Sequence, residues 1–210
     1  MTKSQYQTTQ EKLWAGEFGD EYSDRNQGED YIASNLALFS RILQRTRKIE
    51  TLLELGANIG MNMMALRQLL PKCKLHAVEI NQYAVEKLKS AGDITVFNQS
   101  LLDFTAPVLC DFVFTRGVLF HINPEQLPKA YAALYNSSKK YICVAEYYNI
   151  SPVSIPYRGK EDQLFKRDFA GEMLELYPDL QLLDYGFIYH KDPQFAQVDL
   201  TWFLMEKNGI

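Results

Sequence analysis

The chain has 210 residues, of which 47% are hydrophobic and 23% charged, so disordered, collagen-like and coiled-coil classes are excluded. A formal net charge of -4 argues against a protein that binds nucleic acid mainly by neutralising phosphates. The three cysteines are odd in number and widely spaced, which fits neither a disulfide framework nor a zinc site. The polar start of the chain predicts no signal peptide, and no apolar run reaches the roughly 20 residues of a membrane helix. We therefore expect a cytoplasmic protein that binds neither membranes nor nucleic acid.

Helical and extended patterns alternate through the middle of the chain. Apolar residues at helical spacing predict a helix over 30–47, with Asp30 available as its N-cap. Further helical patterns begin near Met61, Asn81 and Asn123. Short apolar runs, typical of strands buried on both faces, lie at 51–55, 74–80, 94–99, 111–116 and 140–148. This order predicts an α/β fold with a doubly wound, mostly parallel sheet.

The last third of the chain has a different pattern. Residues 149–159 contain two prolines and a glycine and predict a loop, and a helix is expected around 167–176. Strand-like runs at 180–190 and 198–207 predict an antiparallel hairpin at the sheet edge, which brings the sheet to seven strands.

The first 28 residues combine aromatic residues with Gly16 and Gly19, a composition that disfavours one long helix. We interpret residues 1–48 as a helical lid or cap and residues 49–210 as the core domain.

The most informative stretch, ELGANIGMN, runs from Glu54 to Asn62 between a predicted buried strand and a helix. Gly56 and Gly60 permit positive φ and close approach of a ligand to the backbone. The free N–H groups at the start of the helix favour an electronegative ligand group. Glu79 ends the next strand, where an acid can accept hydrogen bonds from both hydroxyls of a ribose. The pattern predicts a nucleoside site at the carboxyl edge of the sheet.

The spacing of this turn distinguishes between nucleoside ligands. It lacks the later glycines of a dinucleotide fingerprint, and Met61 and Asn62 replace the Lys and Ser or Thr of a phosphate loop. An acid two residues before the first glycine suits a ligand with a positive charge. With these residues the chain resembles the class I S-adenosylmethionine-dependent methyltransferases, whose first motif is E/D-x-G-x-G-x-G. Asn58 stands at the middle glycine, and asparagine is also tolerant of the left-handed conformation.

The resemblance implies a Rossmann-like fold, S-adenosylmethionine as cofactor and S-adenosylhomocysteine as product. It implies that Glu79 binds the ribose, that Ser100 and Leu101 lie at the adenine, and that Arg25 of the lid reaches the methionine carboxylate. The cofactor-binding residues that we predict are Trp14, Phe18, Arg25, Glu54, Gly56, Ala57, Asn58, Gly60, Asn62, Glu79, Ile80, Ser100, Leu101, Thr115 and Arg116.

A narrower resemblance links WAGEFGDEY, ELGANIGMN and FTRGVLFHINP to methylases associated with pseudaminic acid biosynthesis and surface-glycan clusters. It implies O-methylation of a small polar acceptor, a sugar or activated intermediate of bacterial surface-polysaccharide biosynthesis such as capsule or flagellar glycan. His121 is the candidate general base, because a neutral imidazole can take up a hydroxyl proton near physiological pH. The candidate acceptor-binding residues are Tyr22, Tyr147, Arg158, Arg167, Tyr189 and His190.

Two alternatives stay open at this point. In the first alternative, the acceptor is a phosphate, a phosphoramidate or another small anionic metabolite, and arginines that bind it matter more than a general base. In the second, the chain is a non-catalytic nucleoside-binding Rossmann protein. No HxxxH spacing or cluster of acids is present, so we predict no metal site.

Overall fold

The computed structural model describes residues 6–157 and 160–208. The strands are β1 (Thr51–Leu55), β2 (Lys74–Glu79), β3 (Ile94–Asn98), β4 (Cys110–Arg116), β5 (Ser138–Glu146), β6 (Val153–Tyr157), β7 (Lys160–Lys166), β8 (Leu180–Ile188) and β9 (Leu200–Lys207). Seven of them form one sheet in the order β3-β2-β1-β4-β5-β9-β8. The first five are parallel, and β9 and β8 are antiparallel at one edge. The predicted doubly wound sheet with its antiparallel edge hairpin is confirmed.

The helices are α1 (Thr9–Trp14), α2 (Glu17–Arg25), α3 (Glu29–Leu43), α4 (Met61–Leu69), α5 (Gln82–Ser90), α6 (Leu127–Ser137) and α7 (Phe169–Leu176). Short 3₁₀ turns cover Leu101–Asp103, Leu119–His121 and Pro124–Gln126. Within the described residues, none of the helices combines the length and apolar character that a membrane span requires.

Side-chain caps explain where several of these helices begin. The Asn81 side chain accepts a hydrogen bond of 2.7 Å from the backbone N–H of Ala84 and starts α5, as predicted. Asn123 caps a 3₁₀ turn, and α6 begins only after it. The expected cap at Asp30 is wrong, because α3 begins one residue earlier and has Gly28 as its N-cap.

The predicted loop over 149–159 is wrong in part, because β6 pairs antiparallel with β7 in a separate two-stranded sheet. The prolines in this segment favour the loop prediction, since proline removes a backbone donor from a strand. Pro156 lies where the register shifts between Ile155 and Tyr157, an irregularity that tolerates proline. β7 packs against the 3₁₀ turn Leu119–His121 and so approaches the site described below.

The central strands are buried on both faces. Neighbouring residues Leu52 and Leu53 of β1, and Phe112 and Val113 of β4, have no exposed surface. Successive side chains of a strand point to opposite faces, so helices cover both sides of the sheet. The carboxyl ends of these strands are thereby held in a rigid frame.

Asp111 joins the amino-terminal ends of β1 and β4. Its Oδ2 accepts hydrogen bonds of 2.9 Å from the backbone N–H groups of Glu50 and Thr51, and one of 3.0 Å from the Thr51 hydroxyl. Burial raises the pKa of Asp111, but these hydrogen bonds outweigh it and lower the pKa below its ordinary value. The carboxylate therefore stabilises the fold in its ionised form.

We expect Asp111→Ala to lower the free energy of unfolding at pH 7 by about 1–3 kcal/mol, because donors of Glu50 and Thr51 lose their acceptor. A depressed folded-state pKa gives stability that is present above the unfolded pKa of about 4 and is lost as the pH falls through the folded value. The difference between parent and variant in urea unfolding should therefore shrink at acidic pH. Asp93→Ala, at an exposed residue, is the control. A difference that does not change with pH would contradict this role.

Candidate functional site

A pocket opens at the carboxyl ends of β1, β2 and β4. Strand β1 lies between β2 and β4, so the strand order reverses here, which is where open α/β sheets bind ligands. The walls come from the turn after β1, the ends of β2 and β4, the segment after β3, and α1 to α3. The predicted residues that line the pocket are Trp14, Tyr22, Gly56, Ala57, Asn58, Asn62, Glu79, Ile80, Ser100, Leu101, Arg116 and His121.

The turn after β1 has the left-handed backbone that its sequence predicts. Gly56 has a φ of 81°, Asn58 of 47° and Gly60 of 86°. The backbone N–H of Gly56 donates to the carbonyl oxygen of Val78 at 2.8 Å, which ties the turn to β2. A Cβ on Gly56 would lie 2.5 Å from Cγ2 of Val118, so a side chain is excluded by the loop after β4.

Glu79 presents a buried, oriented carboxylate to the pocket. Its Oε2 accepts a 2.7 Å hydrogen bond from the backbone N–H of Asn58, and its Oε1 accepts one of 2.8 Å from that of Asn81. Burial raises the pKa of Glu79, while these backbone hydrogen bonds act in the opposite direction. Each carboxylate oxygen can accept a further hydrogen bond. The group can therefore bind two neighbouring hydroxyls.

Glu54 is fully buried and does not line the pocket. Its Oε1 accepts a 2.6 Å hydrogen bond from the Asn62 amide, and its Oε2 has no hydrogen-bond partner among the described residues. Burial raises the pKa of Glu54 to about 8, although the Asn62 hydrogen bond and the positive charge of Arg116 oppose this effect. Glu54 thus acts on the pocket through Asn62, whose side chain it orients.

Arg116 places a guanidinium deep in the pocket wall. Its Nη2 donates to Oε1 of Gln197 at 2.5 Å, and its Nη1 makes a long contact of 3.5 Å with Oδ1 of Asn62. Its buried Nε has no partner among the described residues. Burial lowers the pKa of Arg116, whereas Tyr22 and Glu54 raise it, and an arginine stays charged. The unpartnered donor and the charge suit an acidic group of a ligand.

The loop after β4 is held in place by Glu146 at the end of β5. Both carboxylate oxygens accept hydrogen bonds of 3.1 Å from the backbone N–H of Val118, and a longer one of 3.4 Å comes from Phe120. Burial raises the pKa of Glu146 to about 7, against these hydrogen bonds. This anchor fixes the loop that carries Val118 and His121 along the pocket. The sequence pattern gives no signal for it beyond an acid at a strand end.

Ser100 has a local structural role at the third strand end. Its Oγ accepts a 3.1 Å hydrogen bond from the backbone N–H of Leu102 and caps the 3₁₀ turn that follows. Gln99 stands beside it and also lines the pocket.

Aromatic rings form the wall opposite the glycine turn. The Trp14 ring lies 5.1 Å from Tyr22 and 4.6 Å from His121, which is 4.9 Å from Tyr157 between ring centres. Burial raises the pKa of Tyr22 to about 12, so its hydroxyl stays protonated and can donate. His121 is only 5% exposed and lines the pocket.

Several predicted cofactor residues lie outside the pocket lining. Phe18 packs against the ring of Trp14 at 5.2 Å. Arg25 lies on the surface in an ion pair with Glu21. Thr115 is buried, where its hydroxyl donates to a backbone carbonyl of β1. Gly60 caps α4, and a Cβ there would lie 2.5 Å from the side chain of Leu88.

The predicted acceptor residues other than Tyr22 are not gathered at the pocket. Tyr147 packs against the ring of Phe120, at 4.5 Å between ring centres, and is not in the pocket lining. Arg167 and His190 each pair with a carboxylate, and Tyr189 is 46% exposed. Arg158 lies outside the described residues.

The pocket also contains residues that the sequence patterns did not single out. Some come from the N-terminal helices, whose contacts across the chain leave no periodic signal. These residues are Gln10, Glu11, Gly19, Ser23, Asn26, Tyr31, Ile59, Met61, Val78, Asn81, Gln99, Gly117, Val118 and Ile122. Among the described residues, no three His, Cys, Asp or Glu side chains are grouped as a metal would require.

Comparisons with known proteins place this geometry in a structural class. No protein-family profile and no curated protein sequence matches the chain. Solved structures do match it, at low sequence identity and over nearly their full lengths.

The plantazolicin methyltransferase BpumL, in complex with a pentazolic desmethylPZN analog and SAH, has a TM-score of 0.65 at 12% identity, with 95% of both chains covered. The magnesium protoporphyrin IX methyltransferase ChlM from Synechocystis PCC 6803, with bound SAH, has a TM-score of 0.67 at 12% identity, covering 94% of this chain and 97% of its own. The N-methyltransferase NodS from Bradyrhizobium japonicum WM9 has a TM-score of 0.63 at 12% identity, covering 86% of this chain and 98% of its own. The chain therefore has the Rossmann-like fold of the class I S-adenosylmethionine-dependent methyltransferases.

Proposed function

We propose that this protein is a methyltransferase that moves a methyl group from S-adenosylmethionine to an oxygen of a small polar acceptor. The observation that carries the proposal is that one pocket contains both Glu79, at the end of β2, and Arg116, at the end of β4. Glu79 offers a carboxylate oriented for two hydroxyls, and Arg116 offers a half-buried guanidinium whose buried Nε has no partner among the described residues. A nucleoside joined to an amino acid needs both groups.

The residues present fit each part of such a cofactor. Glu79 would accept hydrogen bonds from the ribose hydroxyls, and the segment of Gln99 and Ser100 would lie at the adenine. Arg116 would bind the methionine carboxylate, and the Asn62 amide, oriented by Glu54, would lie beside it. This assigns the carboxylate to Arg116 and leaves Arg25 as a surface residue.

The sulfonium of the cofactor, when bound, supplies an activated methyl group. The protein must then align the acceptor oxygen and exclude water, which lowers the entropic part of the barrier. A ring nitrogen of His121 would take up the proton of an acceptor hydroxyl. Its place in the pocket wall, on a loop fixed by Glu146, suits that role.

The acceptor is proposed on the chemistry of the pocket and on the narrower sequence resemblance. Aromatic rings of Trp14 and Tyr22 offer apolar faces with polar edges, which suit the mixed surface of a sugar ring. We propose a sugar or activated sugar intermediate of surface-polysaccharide biosynthesis, as in the methylases associated with pseudaminic acid, acting in the cytoplasm. The structural neighbours named above include enzymes for plantazolicin and for magnesium protoporphyrin IX.

The experiment for the proposed function is incubation with labelled S-adenosylmethionine and a panel of nucleotide sugars and sugar phosphates, read by mass spectrometry. We expect one acceptor to gain a methyl group on a hydroxyl. His121→Gln should slow this reaction about 100-fold or more and leave S-adenosylhomocysteine affinity unchanged. Methylation of a phosphate oxygen that is insensitive to His121 would favour the anionic acceptor instead. S-adenosylhomocysteine binding without transfer to any member of the panel would count against the sugar acceptor.

We expect Glu79→Gln to weaken S-adenosylhomocysteine binding about 10- to 100-fold in calorimetry, because hydrogen bonds to a charged acceptor contribute roughly 1.5–3 kcal/mol. Glu86→Gln, at an exposed position of α5, is the matched control and should bind as the parent does. Equal affinities of the parent and Glu79→Gln would refute the assignment of the ribose site.

Arg116→Lys tests the amino-acid end of the cofactor, because lysine keeps the charge and loses the planar fork of donors. We expect it to weaken S-adenosylhomocysteine about tenfold and methylthioadenosine, which lacks the carboxylate, much less. Arg25→Ala should change neither affinity. If Arg25→Ala alone discriminates between the two ligands, the carboxylate binds at the N-terminal segment and not at Arg116.

A further inference from the structure

Two asparagines connect Glu79 to the N-terminal helices. Asn58 and Asn81 each donate a backbone N–H to one oxygen of the Glu79 carboxylate. Their side chains reach the segment that contains α1 and α2. The same two residues thus contact the proposed ribose-binding acid on one side and the N-terminal helices on the other.

Asn58 is informative because its backbone does not need an asparagine. Its φ of 47° is a conformation that glycine adopts more readily, and the related motif has glycine at this place. What glycine cannot supply is the side chain, whose Oδ1 lies 2.6 Å from the hydroxyl of Ser23 on α2. Ser23 is 1% exposed and Asn58 is half-buried, so this hydrogen bond is partly buried at the pocket wall.

The Ser23 hydroxyl also lies 2.9 Å from the carbonyl oxygen of Gly19, one turn earlier in α2. A hydroxyl has one hydrogen, which either Oδ1 of Asn58 or the carbonyl oxygen of Gly19 can accept, and the contact with Asn58 is the shorter. In the absence of the Asn58 side chain, the hydroxyl would return to its own helix, and α2 would lose this direct link to the glycine turn.

α2 contributes to the pocket through Gly19, Tyr22 and Ser23. α2 packs closely against the end of α1, because a Cβ on Gly19 would lie 2.0 Å from the carbonyl oxygen of Trp14. Asn81 adds a second link, with its Nδ2 2.7 Å from Oδ1 of Asp20. α2 therefore forms part of the pocket wall and is tied to the start of α5.

We propose that Asn58 is a latch, a positioning residue that fastens α2 over the pocket through Ser23 and so slows release of the cofactor. The proposal rests on the proposed function, because the retained ligand is S-adenosylmethionine or its product. Ribose hydroxyls on Glu79 would steady the carboxylate that holds the Asn58 backbone. Ligand binding and closure of α2 would then strengthen each other, as linkage requires.

The test is a double-mutant cycle with Asn58→Gly, Ser23→Ala and the combined variant. The rate of S-adenosylhomocysteine release is measured by stopped flow, and amide hydrogen exchange over residues 17–25 is measured with and without ligand. We expect each single variant to release the ligand about tenfold faster, the effect of one partly buried hydrogen bond, and the double variant to equal either single one. Exchange over 17–25 should rise in both single variants even without ligand.

Asp24→Asn is the matched control. Asp24 also joins α2 to α5, through Lys87 and Tyr83, but it is exposed and does not touch the glycine turn. The Asp24→Asn variant should release S-adenosylhomocysteine at a rate within about twofold of the parent rate, because surface ion pairs contribute little. Circular dichroism and thermal unfolding verify that each variant is folded.

The proposal is overturned if Ser23→Ala releases the ligand at the parent rate while Asn58→Gly accelerates release, because the effect then belongs to the backbone. Additive effects in the double variant overturn it as well. If the parent does not bind S-adenosylhomocysteine at all, the proposed function fails. The hydrogen exchange of the ligand-free variants still decides whether Asn58 holds α2 in place.

Discussion

The site depends on one constraint, the fixed orientation of the Glu79 carboxylate at the end of β2. Two backbone N–H groups hold its oxygens, one from the glycine turn after β1 and one from the start of α5. A buried carboxylate is costly unless hydrogen bonds satisfy it, so the chain around it must keep its shape. The left-handed turn presents the backbone N–H of Asn58 to the carboxylate, and the start of α5, capped by Asn81, presents the second N–H.

A second group of buried polar residues lies on the other side of the glycine turn. Glu54, Asn62 and Arg116 form a chain of contacts in which one acid oxygen and one guanidinium nitrogen have no partner among the described residues. Unpaired buried polar atoms destabilise a folded protein, and a ligand group that pairs with the Arg116 nitrogen would remove part of that cost. Glu79 on one side, and Asn62 with Arg116 on the other, give the pocket its polar groups, while Glu54 stands behind Asn62.

Much of this could be predicted from the sequence because its signals are local. The alternation of buried strands and helices predicts the sheet, and the motif from Glu54 to Gly60 together with Glu79 predicts a left-handed turn and an acid at neighbouring strand ends, as the structure has them. The rest depends on contacts between distant segments. The choice between Arg25 and Arg116 as the residue that binds the cofactor carboxylate rests on how buried each side chain is, which sequence spacing does not show. Strand β6 was not predicted because it contains Pro156, which lies at an irregular position of the strand pair. The hydrogen bond from Ser23 to Asn58 joins α2 to the turn after β1, two segments that are distant in the sequence.

The most direct test of the account is a crystal structure of the protein with S-adenosylhomocysteine. The account predicts the ribose hydroxyls within hydrogen-bonding distance of the Glu79 carboxylate, and the amino-acid carboxylate at the guanidinium of Arg116. A ligand bound elsewhere, or one whose carboxylate lies at Arg25 while Glu79 faces no hydroxyl, would contradict it.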